Sequence, residues 1–228
     1  MRQQRVRVNG VQLNVWSGGQ GAPLVLLHGY PQTALMWRKI VPQLLPRYSV
    51  VCPDLRGYGD SDKPPGGYDK RSMALDIKLL MQALGCEKFM AVGHDRGGRV
   101  AHRLALDHSH ALEKLCVLDI VPTHTLLSRT TRELAAAYWH WFFFQVPDLP
   151  ELLIGSHPEQ FLRFAFKTLG CPPQAIEEPV MQEYLRVFKL PGTQRAMLED
   201  YRAAATVDFQ HDAADLHNRI NCPLLVLW

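Results

Sequence analysis

The sequence predicts an α/β architecture: a mostly parallel central sheet with helices on both faces and an inserted helical cap. Three observations predict it. Continuous apolar runs recur along the chain, the mark of strands buried on both faces. Helical segments fall between these runs, the alternation of a parallel sheet covered on both sides. From residue 123 to residue 205 that rhythm stops, and strand-like sequence returns only at Pro223.

The elements follow in order. "RVRVNGVQLNVWSGG" alternates apolar and polar residues around an Asn-Gly pair, which predicts a hairpin. "PLVLLHG" (Pro23–Gly29) is the first buried-strand run, and "YSVVCPD", "KFMAVGHD", "KLCVLDI" and "PLLVLW" repeat its character. Helices are predicted near Leu35–Leu45, Arg71–Leu84 and Gly97–His108. The segment 123–205 is aromatic and helical, with "AAAYWHWFFFQ" at its centre and breaks at Pro147–Pro150 and Cys171–Pro173. We read residues 1–122 as the first part of a core, 123–205 as a helical cap and 206–228 as the continuation of the core. Two consecutive domains are the alternative. The final apolar run needs a sheet to join, which favours insertion.

Composition narrows the function classes. The 228 residues suffice for one sizeable core. A net charge of +3 is too small to argue for a nucleic-acid partner. No run approaches the about 18 apolar residues of a membrane span. "MRQQRVRVNG" lacks the apolar segment of a signal peptide. The five cysteines are scattered without zinc or redox spacing, so we expect reduced thiols, a cytoplasmic setting and no metal.

The stretch "AVGHDRGGRVAHRLALDH" carries the chemistry. Gly93-His94-Asp95-Arg96-Gly97 has the form Gly-x-nucleophile-x-Gly between a strand and a helix. The glycines permit a strained turn, and the central side chain stands beside the positive end of the helix. Asp95 as a simple helix cap is the plainer alternative.

With "HGYPQTALMW", "DLRGYGDSDKP", "YWHWFFFQ" and "LEDYRA", this stretch resembles the fluoroacetate (haloacetate) dehalogenases of the α/β-hydrolase superfamily. The resemblance runs from about Val8 to Trp228. It implies the α/β-hydrolase fold, hydrolysis of a haloacetate to glycolate and halide, no metal or organic cofactor, and a homodimer. It also implies an oxyanion hole from the backbone of Tyr30 and Arg96, and a triad acid at Asp119.

The chemistry suits those residues. An Asp, with a reference pKa of about 3.9, is already an anion at neutral pH and can displace a leaving group without a base. Water then attacks the ester at the Asp carbonyl. A haloacetate is itself an anion, and Arg96 and Arg99 lie three apart at the start of one helix, so both forks can face its carboxylate. Arg103, a turn further on, reads as structural. Fluoride needs donors to replace its hydration. By resemblance these are His140, Trp141 and Tyr201, while Trp139, Phe142, Phe143 and Phe144 read as core packing. The triad histidine that the resemblance implies occupies no position among the ten histidines, so we expect it beyond Trp228, with the last strands and helices of the sheet. An epoxide hydrolase with the same Asp elbow, or a non-catalytic small-acid binder, are the alternatives.

Overall fold

The computed structural model describes residues 1–172 and 174–228. Its centre is one seven-stranded sheet in the order β1-β2-β4-β3-β5-β6-β7. The strands are β1 (Arg2–Val8), β2 (Val11–Gly18), β3 (Ala22–Leu27), β4 (Tyr48–Pro53), β5 (Phe89–His94), β6 (Leu112–Leu118) and β7 (Leu224–Leu227). β1 and β2 form the expected antiparallel hairpin. Asn9 and Gly10 at its tip have φ of 45° and 79°, the left-handed pair that matches a hairpin's twist. β2 pairs antiparallel with β4, and every pairing from β4 to β7 is parallel.

Alternation along β3 explains why its run is wholly apolar. Leu24 and Leu26 face one side and pack with Trp37, Val41, Val50 and Cys52. Val25 and Leu27 face the other and join the larger core with Met73, Ile77, Val100 and Leu104. Each face needs apolar residues, so no polar position remains.

Helices α1 (Val41–Leu44), α2 (Lys70–Ala83) and α3 (Asp95–Asp107) follow the strands. Asp69 caps α2, its side chain accepting from Ser72 N at 2.9 Å. Between β6 and β7 come α4 (Thr123–Ser128), α5 (Arg132–Ala137), α6 (Trp139–Phe143), α7 (Leu149–Ser156), α8 (Pro158–Thr168), α9 (Glu178–Phe188) and α10 (Thr193–Ala203). Pro173, in the second predicted break, lies outside the described residues. A π-turn, Ala204–Asp208, continues α10 into α11 (Phe209–Ala214). Arg103 ties α11 to α3, reaching Asp212 at 2.8 Å and Asp215 at 2.5 Å.

Two expectations about burial change. β7 pairs with β6, yet Leu224, Leu225, Val226 and Leu227 are all exposed, because no described element packs over them. An apolar run with a parallel partner is therefore a strand here without being a buried one. Phe142 is also exposed rather than packed, because the face of α6 that turns inward carries Trp141 and leaves Phe142 outside. No helix among the described residues is long and apolar enough to cross a membrane.

Strand order sets the site. The chain leaves β3 toward β4 on one side and leaves β5 toward β6 on the other, so the C-terminal ends of β3 and β5 lie side by side at the point where the strand order reverses, and the site forms there.

Candidate active site

The turn between β5 and α3 is as sharp as its sequence predicts. Asp95 has φ of 48°, a strained left-handed conformation for a residue with a side chain. The strain is held by close approach on both sides. A Cβ at Gly97 would lie 2.3 Å from the His28 carbonyl, and one at Gly29 would lie 2.6 Å from the Asp95 Cβ. Only glycine lets the two turns touch. Buried His28 braces the second turn: Nδ1 faces the Gly29 carbonyl at 3.0 Å, and Nε2 accepts from Leu55 N at 2.9 Å. That arrangement needs a neutral ring. Burial holds its pKa below the usual value, against the opposing pull of Asp54.

The Asp95 carboxylate is met by two donors. Tyr30 N donates to Oδ2 at 2.9 Å, and Arg99 Nη1 to Oδ1 at 3.2 Å. Burial pushes this carboxyl up in pKa, but Arg99, His94, Arg96 and the Tyr30 N–H outweigh it and hold it below the ordinary value. Asp95 is thus ionised, and its side chain remains 24% exposed. It is a ready nucleophile with access to solvent space.

That space is a cavity of about 330 Å³ over the ends of β3, β5 and β6. Tyr30, Asp95, Arg99, Asp119, His140, Trp141 and Tyr201 all line it. Asp119 follows β6 with φ of 51° and is exposed. The aromatic residues from α6 and α10 interlock edge to face: Trp141 with Tyr201 at 5.3 Å, His140 with Tyr201 at 5.7 Å, and Tyr30 with Tyr201 at 5.3 Å. Burial, reinforced by the Asp95 charge, pushes Tyr201 well above the usual phenol range, so it keeps its proton. Burial takes His140 down to about 4, despite Asp95, so its ring is neutral at pH 7.

Arg96 departs from expectation. It does not line the cavity and is fully buried. Its fork is spent on Asp200: Nε reaches Oδ2 at 3.1 Å and Nη2 reaches Oδ1 at 2.6 Å. Nη2 also donates to the Asp200 carbonyl at 2.8 Å, so both of its N–H groups are taken and the second edge of the guanidinium has only Nη1 to offer. Nη1 alone has no partner. Its guanidinium stacks on Tyr201 at 4.3 Å and Trp141 at 4.9 Å, while Arg99 stacks on Trp141 at 4.6 Å. Of the two expected backbone oxyanion donors, Tyr30 is already engaged on Asp95, and the Arg96 N–H follows directly at the start of α3.

His94, within the Gly93–Gly97 turn, lines the cavity as well. Several groups at the site were not singled out from the sequence. Tyr138 lines the cavity. Asp200 and Lys70 stand behind it. Tyr138 opens the aromatic run of α6, which was a legible cue. Asp200 adjoins Tyr201, but its partner Arg96 lies 104 positions away, and nothing local marks the pair.

The donors left over define what the cavity can hold. Arg99 Nε, Arg96 Nη1, His94 Nδ1 and His140 Nδ1 are buried without a partner. Of these, Arg99, His94 and His140 line the cavity, and the Arg99 guanidinium, with Nε unpaired beside the ionised Asp95, fits a small anion delivered against a nucleophile.

Comparison with known proteins agrees with this architecture. A profile of the family described as alpha/beta hydrolase fold matches residues 22–228. A fluoroacetate dehalogenase from Burkholderia sp is 43% identical, over 97% of this chain and 75% of its own length. A soluble epoxide hydrolase from Corynebacterium sp. (strain C12) is 35% identical, over 96% of this chain and 77% of its own. The crystal structure of a provisionally assigned alpha/beta hydrolase from Nostoc sp PCC 7120 is similar with a TM-score of 0.98 and 50% identity, covering 100% of this chain and 80% of the other. With the sheet order, the strained Asp95 turn and these matches agreeing, the chain belongs to the alpha/beta hydrolase family, as an enzyme of the hydrolase class.

Proposed function

We propose that the site hydrolyses the carbon–halogen bond of a haloacetate through an ester on Asp95. The observation that carries this reading is the set of unpartnered donors around an ionised Asp95, above all Arg99, which is buried, cationic and beside the nucleophile. A neutral substrate gives these cations no role, whereas a substrate carboxylate offsets their desolvation.

The steps follow from the groups present. Arg99 takes the substrate carboxylate and turns the α-carbon toward Asp95, with the Arg96 cation stacked against Trp141 and Tyr201. An Asp95 oxygen attacks that carbon. The carbon–halogen bond breaks, and the halide leaves with the electron pair. Neutral His140, Trp141 and protonated Tyr201 donate to the departing halide. Water then attacks the Asp95 carbonyl carbon, with the Tyr30 and Arg96 N–H groups receiving the oxyanion, and glycolate departs. Asp119 lines the same cavity, and this reading gives it the task of orienting the histidine that the resemblance implies as the base taking the water proton.

A second reading is epoxide hydrolysis with the same nucleophile. Tyr138 and Tyr201, both pushed above the usual phenol range chiefly by burial, line the cavity and could each donate to an epoxide oxygen. Incubation with fluoroacetate or chloroacetate, and separately with styrene oxide, distinguishes the two. The first reading expects halide in solution and a glycolyl ester on Asp95 in the intact mass. Diol without halide release replaces it with the second. A protein that binds acetate but releases neither product is a small-acid binder.

A further inference from the structure

The Arg96 side chain belongs to a buried charge cluster that the two chemical steps leave unexplained. Asp200, on α10, has no exposed surface. Its carboxylate accepts from Arg96 Nε and Nη2, from the Tyr58 hydroxyl at 2.7 Å, and from Lys70 Nζ. Its backbone carbonyl accepts from Arg96 Nη2 at 2.8 Å. Lys70, 3% exposed, also faces Asp208 at 3.4 Å, and its backbone N–H donates to Asp208 Oδ1 at 2.7 Å.

Burying this many charges is costly, and apolar residues of similar volume would fill the space at less expense. The cluster nevertheless does something that apolar packing cannot. It occupies Nε and Nη2 of Arg96 and leaves Nη1 as the only donor nitrogen without a partner. It also holds the guanidinium plane against the rings of Tyr201 and Trp141. The guanidinium is thereby fixed in one rotation, with the two N–H groups of Nη1 left unpaired.

We propose that Asp200 is a positioning residue: acting through Arg96, it holds the guanidinium against the Trp141 and Tyr201 rings and so sets the orientation in which those rings line the substrate cavity. This rests on the reading of the site as a carboxylate-binding one. Lys70 and Tyr58 fill the remaining acceptor sites of Asp200, so it does not turn toward another donor. The ion pair with Arg96 is the connection to the site, and Lys70 is the brace behind it.

Acetate is the probe, because it presents the carboxylate without the reaction. Its affinity for the 228-residue chain is read by calorimetry or NMR titration. Asp200→Asn is expected to weaken acetate about tenfold, since it loosens a charge-assisted fork without removing Arg96. Tyr58→Phe keeps its volume and frees one Asp200 oxygen; it is expected to weaken acetate about two- to threefold, and it serves where Asp200→Asn does not fold. The decisive arm is a double-mutant cycle. In an Arg96→Met background, Asp200→Asn should change acetate affinity by less than about twofold, because the route through Arg96 is already gone. A purely structural role would lower the melting temperature in each variant with acetate affinity intact, and that result overturns the proposal. Equal weakening by Asp200→Asn with and without Arg96 overturns it as well. If the unmutated chain binds no acetate, the carboxylate reading falls and takes this one with it. If the unmutated chain binds acetate and Asp200→Asn binds it equally, only the positioning role falls.

Discussion

Two of the cavities formed by the described residues differ sharply in their chemistry. One, of about 700 Å³, lies between β1, β2, β4 and α9; the other, of about 330 Å³, lies over the ends of β3, β5 and β6. The polar groups of the larger one are paired to each other. Gln3 donates to Asn14 at 2.9 Å, and Asn14 to Asp54 at 2.8 Å. Asp54 also accepts from Ala34 N at 2.8 Å and Asp60 N at 3.0 Å. Arg38 meets Glu177, and Arg186 meets Asp60 and Glu183. In the smaller cavity, Arg99 Nε, His94 Nδ1 and His140 Nδ1 have no partner. Both cavities contain charge, but of the two only the smaller is lined, among the described residues, by buried polar nitrogens without a partner, and there a ligand gains what the protein has left open. Volume follows from how helices meet the sheet; chemistry follows from what remains unpaired.

The sharpest way to break this contrast is to remove the carboxylate from the smaller cavity. Asp95→Asn is expected to lower halide release at least about 10³-fold, because an amide is no nucleophile at carbon. The same variant should bind acetate more tightly, since the negative charge beside the bound carboxylate is gone. Halide release near the unmutated rate would mean that water attacks the α-carbon directly and Asp95 is not the attacking group.

Next in size is Arg99→Leu. Losing a charge-assisted fork should cost about 2–4 kcal/mol, which is roughly a 30- to 1,000-fold loss in acetate affinity and haloacetate turnover. Haloacetamide serves as the control. If the unmutated protein processes it as readily as haloacetate, the cation is not recognising a carboxylate.

Much of this contrast was legible in the sequence, and the reason is local chemistry. The strands announce themselves because a buried parallel strand such as β3 must be apolar on both faces. The Asp95 turn announces itself because its glycines and nucleophile lie within five consecutive residues. The role of Arg96 was half legible. Its proximity to Asp95 is written in the sequence, but the carboxylate that fills its fork arrives from α10 by a tertiary contact. The exposure of Phe142 and of β7 was hidden for the same reason: apolar character says what can be buried, and packing decides what is. The larger cavity left no trace at all, since it is built from side chains of seven separate segments that are ordinary one by one.

The third effect separates the cavities by pH. His140 lines the smaller one and is 6% exposed. Folded, its ring takes a proton near pH 4, and unfolded, near 6.5. Between those values the unfolded chain holds more protons, so stability falls as pH falls through this window and the contribution flattens below it. At full extent it amounts to about 3 kcal/mol. Burial lowers His28 as well, which adds a slope of the same sign. Urea titrations at pH 7.5 and pH 4.5 should show a drop that is smaller in His140→Gln. An identical drop in both proteins would place the pH dependence elsewhere.

The smallest effect belongs to the larger cavity. Arg186→Met removes a guanidinium that meets Asp60 and Glu183, each at 2.7 Å. The side chain is 47% exposed, and ion pairs this open to water contribute about 0–1 kcal/mol. Methionine keeps an apolar stem of similar length, so little packing is lost. Nothing connects this group to the Asp95 cavity, because both of its partners are surface carboxylates. Stability should therefore move by no more than about 1 kcal/mol, and acetate affinity and halide release should stay within about twofold of the unmutated values. If acetate affinity or halide release shifts tenfold while the melting temperature holds, the paired charges of the larger cavity are coupled to catalysis. Unspent donors would then no longer suffice to tell the working cavity from the idle one.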